Sequence, residues 1–168
     1  MVQVAIMAAV ESRRIELARR LRADPSLEVV GVAPTFAFLR SWIDEGIVDV
    51  VIVDGGSETE AGRRRDWLFE LLDVTPVVLL SAASDTWTFT QFMNAERGAI
   101  LGSDASVDQI VNGVRAACAG LLVFDAERWW AVDLTSEAGM RLNNKQVKVC
   151  PVPRRSELSV GGVEIIRV

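Results

Sequence analysis

The side-chain types present in this 168-residue sequence narrow the covalent or acid–base chemistry it can carry. Histidine and tyrosine are absent. The lack of histidine removes a Ser-His-Asp triad, a Cys-His dyad, a His-ligated zinc or haem and a phosphohistidine carrier. Cys118 and Cys150 stand 32 residues apart, too few for a disulfide framework and too far apart for a Cys-x-x-Cys motif, which fits a reducing compartment. Among the residues that close apolar runs, Asp54 after DVVIV carries a carboxylate and Ser81 after TPVVLL a hydroxyl. Taken alone, Asp54 is a strand-end carboxylate suited to capping a loop, and Ser81 is ordinary turn chemistry. Gly55-Gly56-Ser57 after Asp54 lacks the lysine that a phosphate-cradling Walker loop needs and reads as a flexible loop. Arg63-Arg64-Arg65 reads as the solvated opening of a helix.

These residues are held by an alternation of strands and helices. Residues 2–9, 27–32, 48–53, 74–80 and 98–101 are short apolar runs, several rich in Val and Ile, and read as strands buried on both faces. Between them, helical spacing puts Ile15, Ala18 and Leu21, then Phe38 and Trp42, then Leu68, Leu71 and Leu72 on inward faces. The fourth intervening segment, 85–96, alternates like a strand at Trp87–Thr90 but has helical spacing at Phe89, Phe92 and Met93; its place between two strands favours a helix. Ser106 and Gln109 form a capping box for the last helix, whose inward residues are Ile110, Val114, Ala117, Cys118 and Leu121. Cys118 there is a small buried hydrophobe. Five strands and five helices in about 120 residues imply an α/β parallel sheet wound on both faces, with ligand chemistry at the carboxyl ends of the strands.

Composition excludes further classes. Half of the chain is apolar, enough for a core without staples, and 18 basic against 23 acidic residues give a net charge of −5, the wrong sign for a chain built to neutralise phosphates. The first ten residues lack a charged signal-peptide start, and no apolar run approaches the ~20 residues that span a bilayer. A cytoplasmic protein is expected.

Residues 1–125 resemble the receiver domain of bacterial response regulators, of the NarL/FixJ type. The stretches that carry the resemblance are DVVIVD (49–54), TPVVLLSA (75–82), and RGAILGSDAS with VRAACAGLLVFDAE (97–106 and 114–127). The resemblance implies a flavodoxin-like, doubly wound sheet of five parallel strands in the order 2-1-3-4-5. It also implies a pocket in which an acidic pair and an acceptor aspartate hold Mg²⁺, a hydroxyl binds the phosphoryl group and a lysine pairs with it.

Asp54 and Ser81 match the acceptor and the hydroxyl. The acidic pair falls on Ala8 and Ala9, with Glu11 two residues further on at the first helix, and the lysine falls on Gly102 or Ser103. Both lysines of the chain, Lys145 and Lys148, lie in its tail. The pocket is therefore read as vestigial and made of Asp54, Ser81, Gly56, Ala8, Ala9 and Ser103, with no cofactor and at most weak Mg²⁺ binding at Asp54. Each missing electrostatic group lowers a phosphotransfer rate by roughly 10²–10³. The chain is accordingly expected to be a non-enzymatic pseudo-receiver in two-component-type signalling. The alternatives are a weakly phosphorylatable regulator using Asp54, or a transcription regulator binding DNA through its tail or a partner.

Residues 126–168 form a β-rich extension in place of a helix-turn-helix domain. Leu134-Thr135 echoes that domain's start and nothing after it does; Gln146–Val152 alternates, and LSVGGVEIIRV (158–168) reads as a hairpin. Residues 1–124 carry 11 basic and 17 acidic groups, the rest 7 and 6, so the tail can fold on its own acidic body or on a neighbour's. Trp87, Phe92, Trp129 and Trp130 are the expected interaction face, for a protein partner or a homodimer formed through the face of the fourth and fifth helices or through the tail, with no membrane and no direct nucleic-acid contact.

Overall fold

The computed structural model describes residues 1–55, 66–81, 92, 94–95, 97–125, 129–133, 139–147, 149–151, 157–160 and 163–167. Strands β1 (Val2–Ala8), β2 (Leu27–Ala33), β3 (Val50–Asp54), β4 (Val77–Ser81) and β5 (Gly98–Gly102) alternate with helices α1 (Glu11–Leu21), α2 (Phe36–Asp44), α3 (Asp66–Val74) and α4 (Val107–Cys118). The five strands are parallel and lie in the order 2-1-3-4-5, as the resemblance implies.

Period-two alternation along each strand splits the core into two layers. Val4 and Ile6 of β1, Val50 and Ile52 of β3, and Val78 and Leu80 of β4 face α1 and α4, meeting Leu17, Ala18, Leu21, Ile110 and Val114. Ala5, Met7, Val51, Val53, Val77 and Leu79 face the other way, toward Leu39 of α2 and Leu68, Leu71 and Leu72 of α3. Trp42 and Trp67 pack against this second layer.

The inward helix faces differ in detail from the periodic reading. Leu17 is buried in α1 and Ile15 is exposed; Leu39 is buried in α2 and Phe38 is exposed. At about 100° per residue, Ile15 falls nearly opposite Leu17 on α1 and Phe38 about a quarter-turn from Leu39 on α2, so burial of one member of each pair turns the other toward solvent. The α4 capping box is present, with Gln109 N donating to Ser106 Oγ at 3.2 Å and Ser106 N to Gln109 Oε1 at 2.8 Å. Cys118, at the end of α4, is exposed rather than buried.

The sheet is wider than five strands. β6 (Leu121–Asp125) adds parallel to β5, and the sheet continues antiparallel through β7 (Trp129–Asp133) and β10 (Val149–Pro151). The run LLVFD, which in the sequence looks like an exit from the last helix, is thus a strand, buried at Leu121, Leu122, Val123 and Phe124, and β5 is not an edge.

Four further strands form a second, antiparallel sheet in the order β12 (Val163–Arg167), β11 (Glu157–Val160), β8 (Met140–Leu142), β9 (Lys145–Val147). β11 and β12 make the hairpin expected in LSVGGVEIIRV. Asn143 and Asn144, with φ of 48° and 66°, provide the two-residue turn that joins β8 to β9.

This second sheet packs on the body. β12 lies against α4, and Met140, fully buried, belongs to the same core as Ile110, Val114 and Leu121. That packing explains why half of α4 is buried, including Val111 and Ala116 on opposite flanks of the stripe that meets the central sheet. The tail therefore folds on its own body.

Candidate functional site

The carboxyl ends of β1, β3, β4 and β5 come together as the parallel register requires: Ala8 is paired with Asp54, Asp54 with Leu80, and Ser81 with Gly102. Gly55 N donates to Leu80 O at 2.8 Å, which carries the chain straight on past Asp54. A Cβ on Gly55 would stand 3.0 Å from that same carbonyl, so a side chain there would crowd the turn.

Asp54 is turned inward, its side chain only 6% exposed, and its partner is a residue the sequence reading did not single out. Arg13 Nε of α1 donates to Asp54 Oδ2 at 2.8 Å. The same guanidinium reaches across the pocket, Nη2 donating to the carbonyl of Ser103 at 3.2 Å. The hydrogen bond and then the charge of Asp54 raise the already high pKa of Arg13, so this cation is permanent.

Its neighbour Arg14 turns to the end of β1. Nη1 of Arg14 donates to the carbonyl of Ala8 at 2.6 Å and to that of Ala9 at 3.0 Å. Three of the four strand ends that form the pocket are thus tied to two adjacent arginines of one helix. The signal available in the sequence was Arg13-Arg14 in the first turn after strand one, where a helix following a parallel strand points its first side chains back over the strand ends.

Of the expected pocket residues, Ala8, Ala9, Asp54, Ser81 and Ser103 are brought to one end of the sheet, and Gly56 lies outside the described residues. Of the expected interaction face, Trp87 lies outside the described residues, and Trp129 and Trp130 lie in β7, paired with β6. Phe92 is fully buried in the layer that holds Val77, Leu79 and Ile100, so it is a core residue and not a contact residue. Arg63–Arg65 lie outside the described residues.

The pocket does not suit a divalent cation. Magnesium needs several hard oxygen donors in near-octahedral array, and the β1 positions that would supply carboxylates are Ala8 and Ala9. The carbonyl oxygens of both already accept from Arg14, and Asp54 Oδ2 accepts from Arg13. Among the described residues no group of three Asp, Glu, His or Cys could hold a metal ion.

Cys118 is exposed by surface area, yet the protein packed around its sulfur, together with Asp49, pushes its thiol up to about 11. It is a thiol rather than a thiolate at neutral pH, which is the opposite of an activated cysteine.

No protein-family model matches the chain, and no curated protein matches it in sequence. Solved structures do match it in fold. A response regulator receiver domain protein from Clostridium thermocellum is 17% identical, with a TM-score of 0.57 over 70% of this chain and 94% of that one. The signal receiver domain of the response regulator NarL from Mycobacterium tuberculosis is 24% identical, with a TM-score of 0.52 over 70% and 95%. A pilus assembly-related protein from Burkholderia pseudomallei is 18% identical, with a TM-score of 0.56 over 71% and 91%. The central sheet and its helices have the flavodoxin-like fold of response regulator receiver domains, and a small antiparallel sheet is added to it. Among the described residues no helix is long and apolar enough to cross a membrane.

Proposed function

We propose that this chain is a receiver-like module of two-component-type signalling that acts by protein contact, independently of phosphate. The observation that carries this reading is the Arg13–Asp54 ion pair at 2.8 Å. The acceptor carboxylate of a working receiver must be free to attack a phosphodonor beside a metal ion, whereas this one holds a permanent cation and stands in register with Ala8 instead of an acidic residue. In this reading the chain is not an enzyme, takes no cofactor and works in the cytoplasm.

Residues 1–125 are then the receiver-like body and 126–168 an extension that alters its output. Two features support an altered output face: the β5 edge is covered by β6, and α4 is flanked by β12. The partner, a second copy or another protein, is then met through the added strands of the tail, and not by a bare β5 edge.

The test is intact mass after incubation with acetyl phosphate and Mg²⁺, beside an Asp54→Asn control. No adduct is expected. A phosphoryl adduct lost in the control would overturn the reading in favour of a weakly phosphorylatable regulator.

A further inference from the structure

Arg13 and Arg20 lie seven residues apart on α1, two full turns, and so on one face of the helix. Both reach the loop that joins β5 to α4. Arg13 Nη2 donates to Ser103 O, and Arg20 Nη2 donates to Ala105 O, each at 3.2 Å. Arg13 alone also holds Asp54. The loop runs directly into Ser106, the cap of α4, and α4 is the helix against which β12 packs.

The placement of Arg13 is electrostatically uphill unless something compensates it. It occupies the third position of α1, where the unpaired N–H groups and the helix dipole disfavour a cation by roughly 0.3–1 kcal/mol. Arg14 stands beside it. A carboxylate only 6% exposed, with a charge-assisted bond at 2.8 Å, is the compensation, and each of the two groups gives the other a reason to stay.

We propose that Arg13 is a resident latch: its guanidinium clamps the loop between β5 and α4 to Asp54, so that one built-in cation fixes the pocket and the start of α4 without metal or phosphate. This inference deepens the phosphate-independent reading and rests on it in one respect, since a pocket that needs no phosphoryl group must hold its carboxylate by other means. Arg20 is a second stitch on the same loop, one that does not involve Asp54. Arg13 is a positioning residue.

The test is amide hydrogen exchange, by NMR on the full chain with no phosphodonor present. The reporters are Ala105, whose N–H donates to Gly102 O at 3.1 Å, and Ser106, whose N–H donates to Gln109 Oε1 at 2.8 Å. Arg13→Gln and Asp54→Asn are each expected to speed exchange at both amides about tenfold while leaving Ile52 of β3 unchanged, and the double variant is expected to add nothing further. Arg20→Gln is expected to act at Ala105 in the same way when combined with Asp54→Asn as when alone in its added effect, because it does not run through Asp54.

Wild-type exchange at Ala105 and Ser106 in Arg13→Gln would overturn the latch, and so would effects of Arg13→Gln and Asp54→Asn that simply multiply. If Arg13→Gln does not fold, Arg13→Lys takes its place, because a single ammonium keeps the charge but lacks the fork that spans two acceptors. Exchange intermediate between wild type and Asp54→Asn is then expected, and wild-type exchange would again overturn the latch. A phosphoryl adduct on wild type would overturn the proposed function and leave this measurement to stand or fall by itself.

Discussion

The indole of Trp42 lies over the backbone of Gly31 so closely that a Cβ built on that glycine would stand 2.6 Å from two carbons of the ring. Glycine in β2 is therefore what lets α2 settle on the edge of the sheet with Trp42 between them. Gly31→Val is expected to destabilise the chain by about 1–3 kcal/mol through overpacking, read as a lower urea midpoint with unchanged slope. Adding Trp42→Leu should recover part of that loss. Additive losses in the double variant would show that the two residues do not share this space.

The mismatch between the pocket and a divalent ion can be reversed by substitution. Ala8→Asp with Ala9→Asp supplies two carboxylates beside Asp54, but Arg13 still occupies the oxygen that would bind metal. Those two changes alone are expected to leave Mn²⁺ binding weak, and addition of Arg13→Ala is expected to produce saturable quenching of tryptophan fluorescence by Mn²⁺. Equal Mn²⁺ binding with and without Arg13 would show that the guanidinium does not exclude the ion.

The turn before β2 carries a pH-dependent element. Asp24 Oδ1 accepts from Ser26 N at 2.8 Å and from Ser26 Oγ at 2.5 Å, and Arg115 of α4 donates to the same hydroxyl at 3.1 Å. The Ser26 bonds, side chain first and backbone second, with Arg115 assisting, lower the Asp24 pKa in the folded state. A depressed carboxylate pKa gives stability that is fully present above the unfolded value of about 3.9 and is lost as pH falls through the folded value. The stability gap between wild type and Asp24→Asn should therefore be constant from pH 7 to 5 and close below about pH 4. A gap that persists unchanged to pH 2 would assign the effect to something other than the carboxylate's charge.

The parallel body was legible because its strands are Val- and Ile-rich runs whose alternate residues serve two core layers, a pattern that survives without any partner. Asp54 and Ser81 were legible as strand-end residues for the same reason. Arg13 was not, because a charged residue in the first turn of an amphipathic helix has the same appearance in sequence whether it faces water or a buried carboxylate. Phe92 and Cys118 were misplaced in opposite directions: an aromatic between ambiguous neighbours is core, and a cysteine at the last turn of α4 lies where the helix leaves the sheet. LLVFD was hidden by its position, since an apolar run directly after a helix extends the helical stripe and equally begins a strand. Only the pairing of β6 with β5 and β7, which is non-local, decides between them.

The same non-local packing makes the tail's attachment testable. Met140 of β8 has no exposed surface and shares a core with Ile110, Val114 and Leu121, so the second sheet is joined to the body by burial of apolar surface and not only by the connecting chain. Met140→Ala removes most of that side chain from a filled site and is expected to cost about 2–5 kcal/mol, with body and tail still unfolding in one transition. Tryptophan fluorescence, which reads Trp42, Trp67, Trp87, Trp129 and Trp130, all of them outside the strands of the second sheet, and far-ultraviolet circular dichroism, which reads both sheets, should shift together. If the fluorescence midpoint stays at the wild-type value while the tail becomes sensitive to protease, the second sheet is an independent unit docked on α4, and the Met140 contact contributes to docking alone.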